Sequence, residues 1–507
     1  MSNLGFQIVY RELNRHPDVR CERFFLEEGV PGRSIESNSA LSEFDVWAFS
    51  IPFELDYLNL PIFLSYFNIP FLSSERGPRD PIIMAGGIAP SINPEPIAEL
   101  MDLVFIGEAE GNLSLLLDRL ISWKENRISR DELMEELSEL EGVYVPSIGI
   151  GRRKIRWLRA GEMDSIEPCS ELVTNETEFS NMWLLELIRG CGRGCRFCVA
   201  DFTHRPPKFL PVRTALKLAK RGMRYTDRIG LLGAAVSDHP HIEEIAHRLV
   251  RMGASISISS LRADSTSDGL LKALARGGVK TLTFAPEVIL PDLKSAINKT
   301  ISNETVISAL ERAISFGIPN LKLYFITGLP GEGEAEIEAI ISFLIMVREI
   351  AISYLRRDPI RIRVTVSPLI PKPHTPLQWM RMEDERVLSR RLHMIRREIG
   401  RMGGVEFTSS SARMAVIQAI LSRGDRRITP VIIDTANGLP WKQALRRHGI
   451  HPEIYLGEIP IQGDLPWDFI DTGVRKEYLI REFERFKRGQ PSSGCDQQGR
   501  CKACGAC

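Results

Sequence analysis

Short apolar runs at 182–188, 229–232, 255–259, 281–284, 321–326 and 361–366 alternate with longer stretches of helical spacing. Six parallel strands joined by crossovers are predicted, with ligands gathering at the C-terminal ends of the strands. Upstream, apolar runs at 44–51, 81–84 and 102–106 with a helix candidate at 61–67 predict a doubly wound α/β domain. Gly86-Gly87, after the second of these runs, suits either a tight turn or a close approach to a ligand. Residues 126–180 are charged and irregular and read as a helix and hairpin linking the two patterns. From 381 to 404 a basic amphipathic helix carries Arg390, Arg391, Arg396, Arg397 and Arg401. That face is either simply solvated or contacts phosphates. Shorter helical pieces follow at 412–421 and 442–448.

Composition narrows the class without choosing a chemistry. The 507 residues are 43% hydrophobic and 26% charged, as in an ordinary globular protein of about three domains by length. Sixty-five basic residues balance sixty-five acidic ones, so whole-molecule charge attracts neither nucleic acid nor an anionic membrane. No apolar run approaches the ~18 residues of a membrane span, and no basic-then-apolar signal opens the chain. A cytoplasmic location is expected.

The nine cysteines fall into groups. Cys21 and Cys169 stand alone, Cys191, Cys195 and Cys198 form a CxxxCxxC set directly after the 182–188 run, and Cys495, Cys501, Cys504 and Cys507 crowd the end of the chain. Clusters of this kind point to metal or iron–sulfur binding rather than to disulfides. Three close thiolates suit a four-iron cluster with one iron left open, which can then bind a ligand. Gly190, Gly192 and Gly194 let that loop fold tightly, and Phe197 gives it an aromatic wall. A zinc reading needs a fourth ligand, such as His204. The four terminal cysteines make a complete set for either zinc or a fully ligated second cluster, in a tail with almost no apolar residues to fold it without metal.

At Cys191, Cys195, Phe197 and Cys198 the chain resembles the radical S-adenosylmethionine superfamily, whose CxxxCxΦC motif, Φ being aromatic, holds a [4Fe–4S] cluster that chelates S-adenosylmethionine. The resemblance implies a (β/α)6 partial TIM barrel over 181–380. It is preceded by a flavodoxin-like, cobalamin-binding-like domain over 1–125, matched at Met1–Gln7, Ala85–Gly87, Asn93–Pro96 and Ile106–Glu108. A linker spans 126–180, and an α+β accessory region over 381–490 leads into a cysteine-rich tail over 491–507, where the same branch carries CxxCGxC. Relatives place a strand before the segment that starts here at Met1, so the first strand of the domain is expected to be missing. The DxHxxG pattern of many cobalamin domains is absent, which argues against cobalamin itself.

The resemblance also assigns residues at the strand ends. Ser237 lies where relatives bind the methionine amino group, with Asp238 beside it as a possible helix cap. Arg262 is matched to the methionine carboxylate, with a salt bridge to Asp264 as its alternative. Glu287 and Asn298 are placed near nucleoside or substrate, or else fix loops by hydrogen bonds. Gly328 opens a glycine-rich exit that contacts adenine or ribose or is an ordinary turn. His374, in the proline-stiffened loop 368–379, reads as an exposed loop histidine or a proton-exchanging group.

The expected activity is reductive cleavage of S-adenosylmethionine to a 5′-deoxyadenosyl radical, used for methylation or sulfur insertion on a substrate that the motifs do not name. A low-potential electron donor of flavodoxin or ferredoxin type is implied. The competing reading is a non-catalytic, zinc-containing nucleic-acid-binding or scaffold protein.

Overall fold

The computed structural model describes residues 3–25, 32–125, 127–149, 151, 153–355, 361–495, 501 and 503–506. The chain folds as two compact units. One holds Gly5–Gly161 and Ile417–Gly473; the other holds Glu162–Val416 and the chain from Val474 onward.

In the first unit, the apolar runs become β1 (Val46–Ser50), β2 (Ile82–Gly86) and β3 (Leu103–Phe105), parallel and adjacent in that order, with β4 (Val143–Tyr144) antiparallel beside β3. The predicted helix is present as Asn59–Tyr66. The strand order follows the chain, so among the described strands it does not reverse. Ile82, Leu103 and Phe105 pack on Leu116 and Leu120 of helix Ser114–Lys124 and on Leu133 and Leu137 of helix Arg130–Ser138. Ser129 starts the latter helix with a capping box closed by Glu132, which satisfies two backbone donors that would otherwise be left unpaired. Burying these leucines contributes roughly 1.5–3 kcal/mol each.

The residues that most resembled a ligand-binding edge act as internal ties in this unit. Gly87, at φ +105°, lies where a Cβ would stand 2.6 Å from the Ile51 carbonyl oxygen, so glycine is required for close backbone approach. Asn93 donates to the carbonyls of Ser422 (3.0 Å) and Gly424 (2.8 Å). Glu95 pairs with Arg426 at 3.0 Å, and Glu108 accepts the Ala160 N–H at 2.7 Å. β5 (Ile155–Arg156) pairs with β14 (Ile470–Asp471), a further tie between 5–161 and 417–473.

The second unit contains the six expected strands. They are β6 (Trp183–Arg189), β8 (Arg228–Gly233), β9 (Ser255–Ile258), β10 (Thr281–Glu287), β11 (Asn320–Thr327) and β12 (Ile362–Pro368). β7 (Lys208–Phe209) runs antiparallel along β6, and β13 (Val405–Ser409) adds a further parallel strand beside β12. The strands form two four-stranded sheets, β7-β6-β8-β9 and β10-β11-β12-β13, rather than one closed barrel. Between them the Leu261 N–H donates to the Thr283 carbonyl at 3.0 Å. Helices return the chain after each strand; Ser267 and Ser302 cap two of them, and helix Ile242–Arg251 buries Ile242, Ile245 and Leu249 on one face. The basic helix is Glu385–Ile399. Leu388, Leu392 and Ile395 line its inner face, and Arg391 is buried against Glu332 and Glu383.

Candidate active site

The cysteine loop leaves β6 at a point where only glycine fits. Gly190 has φ +82°, and a Cβ there would lie 2.0 Å from the His204 carbonyl oxygen. The loop then turns into the short helix Val199–Thr203, with Cys198 at its N-cap and the Cys198 N–H donating to the Cys195 carbonyl at 3.0 Å. Cys195 is buried; Cys191, Phe197 and Cys198 are half-buried.

Electrostatically the three thiols form one group. Burial raises all three pKa values, that of Cys191 to about 12. Negative charge on Cys195 raises both others, as does Asp201. Against this, the backbone N–H of Arg193 lowers the Cys191 pKa and that of Asp201 lowers the Cys198 pKa. Three clustered thiols that resist ionisation unless a cation compensates, in a loop whose amides favour the thiolates, are a donor set that fits an iron–sulfur cluster. Among the described residues, no three His, Cys, Asp or Glu side chains enclose a site for a single metal ion.

Buried polar side chains hold the loop from several directions. Asp201 accepts the Gly194 N–H and is gripped by Arg205, whose Nε donates to its carboxylate at 2.7 Å. Arg196, fully buried, donates to the carbonyls of Ala296 (2.6 Å) and Gln490 (2.8 Å) and forms an ion pair with Glu482 at 3.0 Å. Arg193 binds Asp238 through two hydrogen bonds, at 2.8 and 2.6 Å. None of these braces was found from sequence. Arg196 sits inside the cysteine motif and Asp201 three residues beyond it, and nothing in their spacing distinguishes them from surface charges.

The residues expected at the strand ends lie in this unit with their polar groups engaged. Ser237 accepts the Arg262 N–H at 2.8 Å and a hydrogen bond from Ser265 at 2.9 Å. Arg262 binds Asp264 in a fork, at 3.1 and 2.9 Å. Asp238, the possible helix cap, is the partner of Arg193. Asn298 donates to the Gly194 carbonyl at 3.1 Å and accepts the Ser492 N–H at 2.9 Å, so it fixes the cysteine loop and the start of the tail together. Glu287 ends β10 with φ +67° and pairs with Lys299 at 3.3 Å. Burial raises the Glu287 pKa and Lys299 opposes it, while the Lys299 pKa rises through Glu287 despite its own burial. With the two groups in contact, the ionised pair is the state this geometry holds. Lys299, Arg262 and Glu287 all act on Cys195, which places them around the loop.

Gly328 has φ +103°, and its N–H donates to Glu332 at 2.5 Å. His374 differs from the exposed reading: it is buried, its N–H donates to Gln378 at 2.9 Å, and its loop continues to Trp379, packed 5.7 Å from Phe483. Ile188, Cys191, Pro207, Phe209, Ala235 and Asp238 line a small recess at the ends of β6 and β8.

The tail reaches the same loop. The Cys495 N–H donates to the Gly192 carbonyl at 2.5 Å, and a Cβ on Gly192 would lie 3.1 Å from Cys495 Cβ. Cys504 is buried and its carbonyl accepts the Arg475 N–H at 2.9 Å; Cys501 is half-buried. Cys507 lies outside the described residues.

A parallel α/β unit with a three-cysteine loop at the end of its first strand is the arrangement of a partial barrel with a candidate cluster site. Residues 185–344 match the model of the radical SAM superfamily, and residues 5–146 match that of radical SAM proteins, N-terminal. The chain belongs to the radical S-adenosylmethionine superfamily. Membership implies a [4Fe–4S] cluster and S-adenosylmethionine. The chain is 26% identical over 482 residues to the uncharacterized protein MJ0966 of Methanocaldococcus jannaschii, covering 95% of this chain and 96% of that one. It is 34% identical over 101 residues to the uncharacterized methyltransferase PH0819 of Pyrococcus horikoshii, 20% of this chain and 22% of that one. Among solved structures it is similar to the radical S-adenosylmethionine methyltransferase TsrM of Kitasatospora setae, bound to cobalamin and a [4Fe–4S] cluster. That match has a TM-score of 0.46 and 12% identity, over 67% of this chain and 68% of that one. The cobalamin-dependent enzyme OxsB matches with a TM-score of 0.43 and 21% identity over 60% of this chain, which spans 44% of OxsB. Among the described residues, no helix is long and apolar enough to cross a membrane.

Proposed function

We propose that the protein reductively cleaves S-adenosylmethionine at a cluster held by Cys191, Cys195 and Cys198, and uses the product radical to methylate, or insert sulfur into, its substrate. The observation that carries this reading is the loop itself: three clustered thiols at a strand end, inside the segment matched to the superfamily. When bound, the cluster and S-adenosylmethionine supply one-electron cleavage of the sulfonium and a 5′-deoxyadenosyl radical. The chain's own part is to hold the loop through Asp201, Arg196 and Asn298, and to flank it with the Glu287–Lys299 pair, whose opposite charges suit a zwitterionic amino-acid group. The recess beside Cys191 and Asp238 opens at the same strand ends.

Methylation is favoured by the similarity over 101 residues to a protein named as a methyltransferase. A second cluster on Cys495, Cys501, Cys504 and Cys507, and a low-potential electron donor, complete the proposal. Cobalamin is left out of the cleavage step, because the ligand-like motifs of the first unit are spent on internal ties. The test is anaerobic reconstitution with iron and sulfide, then dithionite and S-adenosylmethionine, with 5′-deoxyadenosine measured with and without cobalamin. Equal formation in both is expected. No formation by protein that carries a reducible four-iron signal would overturn the reading, and formation only with cobalamin would overturn its cobalamin-free form.

A further inference from the structure

The amides of the cysteine loop are divided between two kinds of acceptor. The backbone N–H groups of Arg193 and Asp201 act on the thiols of Cys191 and Cys198, lowering their pKa values against the larger effect of burial. The Gly194 N–H is donated instead to the side-chain carboxylate of Asp201. That carboxylate is almost fully buried between the Gly194 amide and the Arg205 guanidinium, which is equally buried. Arg205 is itself fixed, with Phe202's ring centroid 4.4 Å away and a hydrogen bond to the Tyr478 hydroxyl at 3.2 Å. Burial raises the Asp201 pKa, with the Arg205 charge and the Gly194 amide opposing it, and these two donors fix the carboxylate in one orientation.

Hydrogen bonds to cluster sulfurs and nearby positive charge both stabilise the electron-rich, reduced cluster and so raise its potential; fewer donors and a nearby anion lower it. We propose that Asp201, oriented by Arg205, is the positioning residue that keeps the reduction potential of the centre on this loop low, by diverting the Gly194 amide from sulfur and placing a carboxylate beside it. This rests on the cluster reading above. Cleaving a sulfonium needs a strongly reducing centre, so a device that lowers the potential serves that reaction.

The test uses the full-length chain and Asp201→Asn, which keeps the size of the side chain and removes its charge. An EPR-monitored redox titration without S-adenosylmethionine is expected to show an upward shift of the midpoint potential in Asp201→Asn. Arg205→Lys, which preserves both charges, is expected to stay closer to the wild type than Asp201→Asn does. A midpoint for Asp201→Asn equal to that of the wild type, or below it, would overturn the proposal. Absence of any cluster signal in the wild type would sink the functional reading instead.

Hydrogen–deuterium exchange on cluster-free protein gives a second, independent readout that still applies if Asp201→Asn fails to hold iron. The Gly194 amide is expected to exchange about tenfold faster in Asp201→Asn, the loss of a charge-assisted hydrogen bond, with peptides elsewhere in the unit unchanged. Unchanged exchange at that amide would overturn its assignment to Asp201.

Discussion

The two cysteine groups of the second unit are built in opposite ways. Around Cys191, Cys195 and Cys198, charged and amide side chains reach in from distant parts of the chain, and the loop's shape is over-determined by Asp201, Arg196, Asn298 and Arg193. In the described residues of the tail the contacts run through backbone groups: the Cys495 N–H on Gly192, the Cys504 carbonyl on Arg475, and the Ala503 carbonyl on Arg475 and Arg481. A loop braced by side chains keeps its form before any cofactor arrives. A tail almost lacking apolar residues would, under the proposed second cluster, gain its form from the metal. The difference is between a site prepared by folding and one completed by ligation.

The largest expected effect comes from breaking the prepared site. Cys195→Ala removes one of three thiolates, the minimum for a cluster with an open iron, and S-adenosylmethionine cleavage is expected to fall to background, as measured by 5′-deoxyadenosine. Persistent cleavage would show that the loop is not the cluster site.

Removing residues 495–507 breaks the other member of the comparison. Fully loaded protein is expected to hold about eight irons and the truncated chain about four, with the central EPR signal retained because its braces from Asp201, Arg196 and Arg193 do not involve those residues. Stoichiometric zinc with only about four irons in the intact chain would make the tail a zinc site. Loss of the central signal as well would show that the Cys495–Gly192 contact is indispensable to the loop.

The smallest effect sharpens how the prepared side is maintained. Lys294 lies four residues before Asn298, its Nζ donating to the Ile301 carbonyl at 2.8 Å, and burial, helped by Lys299, lowers its pKa to about 8 from 10.5. Between those values the unfolded chain keeps a proton that the folded chain has released, so this lysine makes folding more favourable as pH rises through that window. Lys294→Met lacks the titration. The stability difference between wild type and variant, followed by thermal unfolding, is expected to move in favour of the wild type from pH 8 to pH 10.5; a flat difference would refute it.

Local pattern alone determined much of this protein. The strands β6 and β8 to β12 stand where short apolar runs were spaced by helices, and the three-cysteine loop follows the first of them, because period and ligand spacing are properties of neighbouring residues. Only the tertiary structure decided which distant groups pair. Residues 417–473 join residues 5–161 through Asn93, Glu95 and β14, a closure that nothing in either segment announces. Arg262 turns to Asp264, Asn298 gives its amide to Gly194 and the tail, and Asp201 with Arg205 becomes the brace of the cluster loop. A buried charge or amide must find a partner when it leaves water, and its choice depends on what folding brings within about 3 Å, which no local pattern encodes.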